Sequence, residues 1–183
     1  FIKSSFEKTK REFVETSWNK LDTHLGRKMF ERRGRFEEVR ILQTDSTDEA
    51  LFQVIKRLGG KEGWLAWDFL WKLRKLSDRL IGGSKINDTD RDNLKKGDQF
   101  DCWKIEKYEE NRKILLRMTL RSPGEAWLKL ETIPHNKKTF LVITAVFEPK
   151  GIWGYLYWYS ISPFHKFIFS DLARAVITKA KNL

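Results

Sequence analysis

The chain contains a single cysteine, Cys102, in 183 residues. That excludes an internal disulfide framework and any cysteine-rich zinc site. A lone thiol fits a reducing compartment. Histidine is nearly as scarce: His24, His135 and His165 stand far apart, and no His/Asp/Glu spacing makes a metal site. A phosphate-cradling loop is also missing, because no G-x-G-x-x-G lies between a strand and a helix. The opening residues lack the charged, apolar and small-residue blocks of a secretory signal. The chain starts at Phe1 rather than Met, which reads as a piece of a longer protein or a processed form.

Acids are outnumbered. There are 25 Asp and Glu against 36 Lys and Arg, a net charge of +11. The cations are interleaved with acids, as in Lys8–Glu12 and Lys104–Lys107, and Glu31, Glu37 and Glu38 interrupt the densest cluster, Arg27 to Arg40. Mixed runs of this kind read as solvated faces. Nucleic acid is therefore not expected as a partner, and an anionic partner domain or membrane surface fits better. No cofactor or metal is implied for this chain.

Aromatic residues are abundant, with eight Trp, thirteen Phe and four Tyr. The length suits one domain with a full core. Residues 1–35 are polar and basic and read as an N-terminal arm or interdomain linker, partly helical. Residues 36–183 read as the domain.

Phe36 to Gln43 is a candidate strand with Val39 and Ile41 on one face. Ser46-Thr47-Asp48-Glu49 resembles a capping box with Ser46 as the cap, and Leu51, Ile55 and Leu58 follow at helical spacing. Gly59-Gly60 stops that helix. A second helix is expected from about Trp64 to Leu80, stopped by Gly82-Gly83. It carries a Leu/Phe stripe beside a stripe of Trp64, Trp67 and Trp71. Polar residues 84–97 form a loop. Four strands follow, over Gln99–Tyr108, Lys113–Arg121, Ala126–Ile133 and Thr139–Phe147. Their short links predict an antiparallel meander. A last helix is expected from Gly151 to Lys179, with Pro163 inside it. The order predicts an α+β domain in which a curved antiparallel sheet wraps a long C-terminal helix, with two shorter helices after the first strand.

Five segments carry a resemblance: RLGG (Arg57–Gly60), GWLAWDFLWKLRKLSDRLIGG (Gly63–Gly83), LKKGDQFDCW (Leu94–Trp103), SPGEAWLKLE (Ser122–Glu131) and FEPKGIWGYLYWYSISPFHKFIF (Phe147–Phe169). Together they resemble a domain family of unknown function that follows an NAD(P)-binding, short-chain-dehydrogenase-like domain. VETSWN (Val14–Asn19) resembles the linker before it. The family is in turn similar to the helix-grip superfamily of START domains and the birch-pollen allergen. The resemblance implies a sheet gripping the last helix, often around an apolar ligand. It supplies no catalytic residues, and a chain lacking the nucleotide-binding half is not expected to transfer hydride alone.

No charged residue stands between Lys150 and Lys166. The aromatic residues in and beyond that stretch, Trp153, Tyr155, Tyr157, Trp158, Tyr159, Phe164 and Phe167, either line a ligand cavity or pack a plain core. Trp67, Trp71, Trp103 and Trp127 are further cavity candidates. Asp101 and Trp103 share a strand face by period-two alternation. A concave face would bury Asp101 and pair it with Arg79 or Arg117; otherwise it is exposed at a sheet edge. Asp68 reads as a surface partner of Lys72. His165 is either a structural histidine or a polar handle beside Pro163, and Cys102 reads as a buried, inert thiol.

The pattern favours a noncatalytic module that binds an apolar or amphipathic small molecule (a lipid, an isoprenoid or an aromatic metabolite). The resemblance implies that it would serve an NAD(P)-binding domain of the same polypeptide, and a cytoplasmic location is expected. The alternatives are a docking or dimerisation domain without ligand, and peripheral membrane association through the last helix. The uncharged stretch is shorter than the ~20 residues a span requires.

Overall fold

The computed structural model describes residues 26–32, 34–59, 63–65 and 93–183. Among these the element order is β1 (Gly26–Arg32), β2 (Arg35–Thr44), α1 (Asp48–Arg57), β3 (Gln99–Phe100), β4 (Trp103–Glu109), β5 (Lys113–Met118), β6 (Gly124–His135), β7 (Lys138–Pro149) and α2 (Gly151–Ala180). The strands form one antiparallel sheet in the order β1-β2-β7-β6-β5-β4-β3.

Turn chemistry sets this meander. Asn111 and Asn136, in the β4–β5 and β6–β7 links, both have φ of 53°, a left-handed conformation that Asn tolerates better than most residues. The β6–β7 link is a tight hairpin, with His135 paired to Lys138 across Asn136 and Lys137. Alternation then gives the sheet two faces. The inner face carries Leu42, Leu141, Ile143, Leu128, Leu130, Ile114, Leu116 and Ile105, all in one cluster with Phe52 and Ile55 of α1 and Leu172, Ala173 and Val176 of α2. On the outer face, Val39 and Val142 pack with Ile41 and Ile133, and Trp127 packs with Val146 and Leu115.

α2 lies across the inner face as the gripped helix. Its buried positions, Gly154, Trp158, Phe169, Leu172, Ala173, Val176 and Ala180, recur at helical spacing. No side chain caps its N-terminus and no acid occupies its first turn, so packing must hold that end. Gly154 provides the close approach. A Cβ there would lie 2.4 Å from the Pro123 carbonyl oxygen and 2.7 Å from the Pro149 Cα, both main-chain atoms. Gly154→Ala is expected to cost about 1–3 kcal/mol of stability by overpacking. A thermal melt checks it, and an unchanged midpoint would mean that the start of α2 is not seated on the Pro123 and Pro149 backbone.

The α+β helix-grip arrangement is thus as expected, with local corrections. Residues 26–32, assigned to an arm, form β1 along β2. The expected strand over Gln99–Tyr108 breaks at Asp101-Cys102, where Asp101 has φ of 51° and a hairpin pairs Phe100 with Trp103. The cap of α1 is Thr47, not Ser46: Thr47 Oγ1 accepts from the Ala50 N–H at 3.2 Å. The Ser46 backbone N–H instead donates to Thr44 Oγ1 at 3.2 Å, which keeps Ser46 in the preceding turn. Trp64 and Leu65, at the expected start of the second helix, are not helical, and Leu65 has φ of 60°; the rest of that expected helix lies outside the described residues, and Trp67, Asp68, Trp71 and Arg79 with it.

Candidate ligand cavity

Between the inner face and α2 lies a partly open cavity of about 50 Å³. Trp103, Met118, Leu128, Ala145 and Phe147 wall it from the sheet, and Trp158, Ile161, His165 and Phe169 from α2. Tyr157 also borders it, as does Trp127 from an outer-face position. Phe36 and Phe147 are register partners on adjacent strands, and the Trp158 indole lies nearly parallel to both, at 4.8 Å and 5.6 Å. His165 meets Trp158 and Phe169 edge-on at 5.2 Å and 5.0 Å.

A polar cluster stands behind His165. Glu38 and Arg40 alternate inward with Phe36 and Leu42, and are only 1% and 3% exposed. Arg40 Nε and Nη2 donate to Glu38 Oε1 at 3.2 Å and 2.9 Å, and Arg40 Nη1 donates to Ser170 Oγ at 2.6 Å. The second Glu38 oxygen lies 3.9 Å from His165 Nδ1. Sequence reasoning placed Glu38 and Arg40 in a solvated basic run and missed them. Each is two residues from an apolar inner-face neighbour, a weak signal because Val39 and Ile41 mark the opposite face as apolar too.

The expected helix aromatics divide between two sides. Tyr157, Trp158 and His165 reach the cavity. Trp153 and Tyr159 are 73% and 61% exposed, and Tyr155, Phe164 and Phe167 are exposed as well. A helix turns by about 100° per residue, so neighbouring residues cannot all face one way. Trp153, Tyr155 and Tyr159 are therefore not cavity residues. Trp153 joins Ile152, Leu156, Phe164 and Phe167 in an exposed apolar surface on α2, and Tyr155 and Tyr159 lie at its edge, where they meet the Phe36 ring edge-on at 5.8 Å and 5.9 Å.

Asp101 is buried, but at the β3–β4 turn, where it accepts a hydrogen bond from Trp64 Nε1 at 2.6 Å. Arg117 is not at its side. Alternation sends Arg117 to the outer face, where it donates to Glu125 at 2.8 Å and covers the Trp127 ring at 5.9 Å. The Lys150 hydrogen bond, opposed by burial, holds the Glu125 carboxyl below its ordinary range. Cys102 is a buried thiol within the main core cluster. His135 sits exposed beside Asn136 at the β6–β7 turn. Among the described residues, no group of His, Cys, Asp and Glu is placed to hold a metal ion. No helix among them is long and apolar enough to cross a membrane.

With its long C-terminal helix held by an antiparallel sheet, the protein is a helix-grip domain. It belongs to the family described as "Protein of unknown function (DUF2867)", which matches residues 31–172. No curated protein matches the chain. Solved structures resemble it only distantly. The solution structure of CalU16 from Micromonospora echinospora is 8% identical, with a TM-score of 0.47 over 84% of this chain and 75% of that one. Truncated norcoclaurine synthase from Thalictrum flavum is 10% identical, with a TM-score of 0.46 over 80% of this chain and 95% of that one. Ara h 8.0201 is 11% identical, with a TM-score of 0.42 over 79% of this chain and 99% of that one. Likenesses of this degree say nothing about a ligand.

Proposed function

We propose that the domain is a noncatalytic module that holds one small apolar or amphipathic molecule between the inner sheet face and α2. The observation that supports this reading is the cavity, whose walls are aromatic and aliphatic except at His165 and Tyr157. Such a site draws its affinity from apolar area removed from water, at roughly 25 cal/mol per Å². The cavity of about 50 Å³ is smaller than the ~150 Å³ that admits benzene in an engineered core. A larger guest must therefore displace a wall. Pro163 stands between Ile161 and His165, both lining residues, and it removes the bond its N–H would give to the Tyr159 carbonyl. That turn is where α2 bends most readily. In this reading the module works in the cytoplasm and presents its guest to an NAD(P)-binding domain of the same polypeptide.

Native mass spectrometry on freshly purified protein tests the proposal. A stoichiometric adduct, released into organic solvent as an apolar compound, is expected. A uniformly apo mass would count against it and favour a second reading, for which the exposed face of α2 argues. That face carries Ile152, Trp153, Leu156, Tyr159, Phe164 and Phe167, each more than half exposed. So much apolar surface on one helix marks an interaction site, as in a docking or dimerisation domain or one resting on a membrane surface. Sedimentation velocity and liposome co-sedimentation separate those cases.

A further inference from the structure

The exposed face of α2, the second reading above, can be assigned a partner without reference to the cavity. Helix phase gathers Ile152, Trp153, Leu156 and Phe164 within about a third of the helix circumference, opposite the seated Trp158. Each is more than half exposed. Ser160 lies among them, and its hydroxyl donates to the Leu156 carbonyl at 2.8 Å. The helix thus satisfies that hydroxyl itself, without solvent. Tyr155 and Tyr159 border the stripe on one side, their rings against Phe36. Rings with a polar tip suit the boundary between an apolar and a wet phase.

Charge decides among the occupants such a stripe could take. No acid stands between Glu148 and Asp171. The two carboxylates beside the start of α2 are both taken: Glu125 meets Lys150 and Arg117, each at 2.8 Å, and Glu148 meets Arg35 at 2.8 Å. The chain as a whole carries +11. A second copy on the same face would bring two such charges together, which their repulsion opposes. An anionic lipid surface is attracted by the same charge. Among the described residues no helix is long and apolar enough to cross a membrane. A helix with Trp, Leu and Phe on one side rests instead in the plane of the interface. We infer that α2 docks the domain on the surface of an anionic phospholipid bilayer, with Ile152, Trp153, Leu156 and Phe164 entering the boundary between headgroups and acyl chains.

The test is co-sedimentation of the full chain with vesicles of equimolar phosphatidylcholine and phosphatidylserine, beside vesicles of phosphatidylcholine alone. Wild type is expected to partition onto the mixed vesicles about tenfold more strongly than onto the neutral ones. The Trp153→Ser/Leu156→Ser variant is expected to lose about tenfold or more of its binding to the mixed vesicles, because it removes apolar area from the contact. Phe164→Ser serves as a second variant, and melting curves establish that each is folded. Binding to mixed vesicles that both variants retain in full overturns the inference, since a basic surface elsewhere would then carry the attraction. Wild type that binds neither vesicle overturns it too, and sedimentation velocity then tells what is left of the exposed-face reading. A dimer that the double variant cannot form would make a second copy the occupant. A monomer would leave a different protein as the partner of that face.

Discussion

Trp158→Ala is expected to destabilise the fold by about 3–5 kcal/mol, the range for truncating a buried aromatic side chain. Trp158 is 2% exposed and is the large residue through which the start of α2 reaches the sheet. Its indole lies over Phe36 and Phe147 at interplanar angles of 11° and 9°, so truncation uncovers two further rings. Aromatic pairs of this kind add about 0.5–1.5 kcal/mol each beyond area burial. Because α2 lacks a capping side chain, its first turns depend on this packing together with the close approach of Gly154 to Pro123 and Pro149. For a chain of this size the midpoint should fall by roughly 6–20 °C, and Trp158→Phe should recover part of the loss. A thermal melt of the alanine variant that overlays wild type would mean that α2 does not seat on the Phe36–Phe147 pair.

Arg40→Met should be comparably damaging. Glu38 is 1% exposed, and the substitution removes the guanidinium that neutralises it. Breaking a buried ion pair from one side typically costs about 3–5 kcal/mol, whereas replacing both partners with apolar residues is often neutral or stabilising. The Glu38→Leu/Arg40→Met double variant should therefore be more stable than Arg40→Met alone. This ordering distinguishes a charge effect from a packing effect. If the double variant loses the sum of the two single losses, the pair is not electrostatically coupled. Urea unfolding of the four proteins measures it.

Much of the fold was legible because it rests on local signals. The alternation through β6 and β7 and the short polar links between strands define the meander. Gly151 and the uncharged run after it define α2, whose expected start coincides with the one found. The misses arose where tertiary pairing overrode local pattern. β1 lies in a basic stretch with no strand-like alternation and exists through its ladder with β2. The break at Asp101 depends on a left-handed residue, and Asp is not the residue that advertises one most strongly. The candidate site was legible only in part. Trp103, Trp158 and His165 were identifiable from composition and position. Which of the crowded aromatics in α2 face inward depended on helix phase, which an aromatic-rich run without charges conceals. Glu38 and Arg40 were hidden because a charged pair two residues apart reads as solvated until its strand is known to be covered.

The most direct test of the central claim is native mass spectrometry of wild type beside Ala145→Leu. Ala145 lines the cavity and is 7% exposed, and a leucine there fills the space a guest would occupy. The account predicts a stoichiometric apolar adduct on wild type and none on the folded variant. An adduct of equal mass and occupancy on both proteins, or no adduct on wild type, would contradict it.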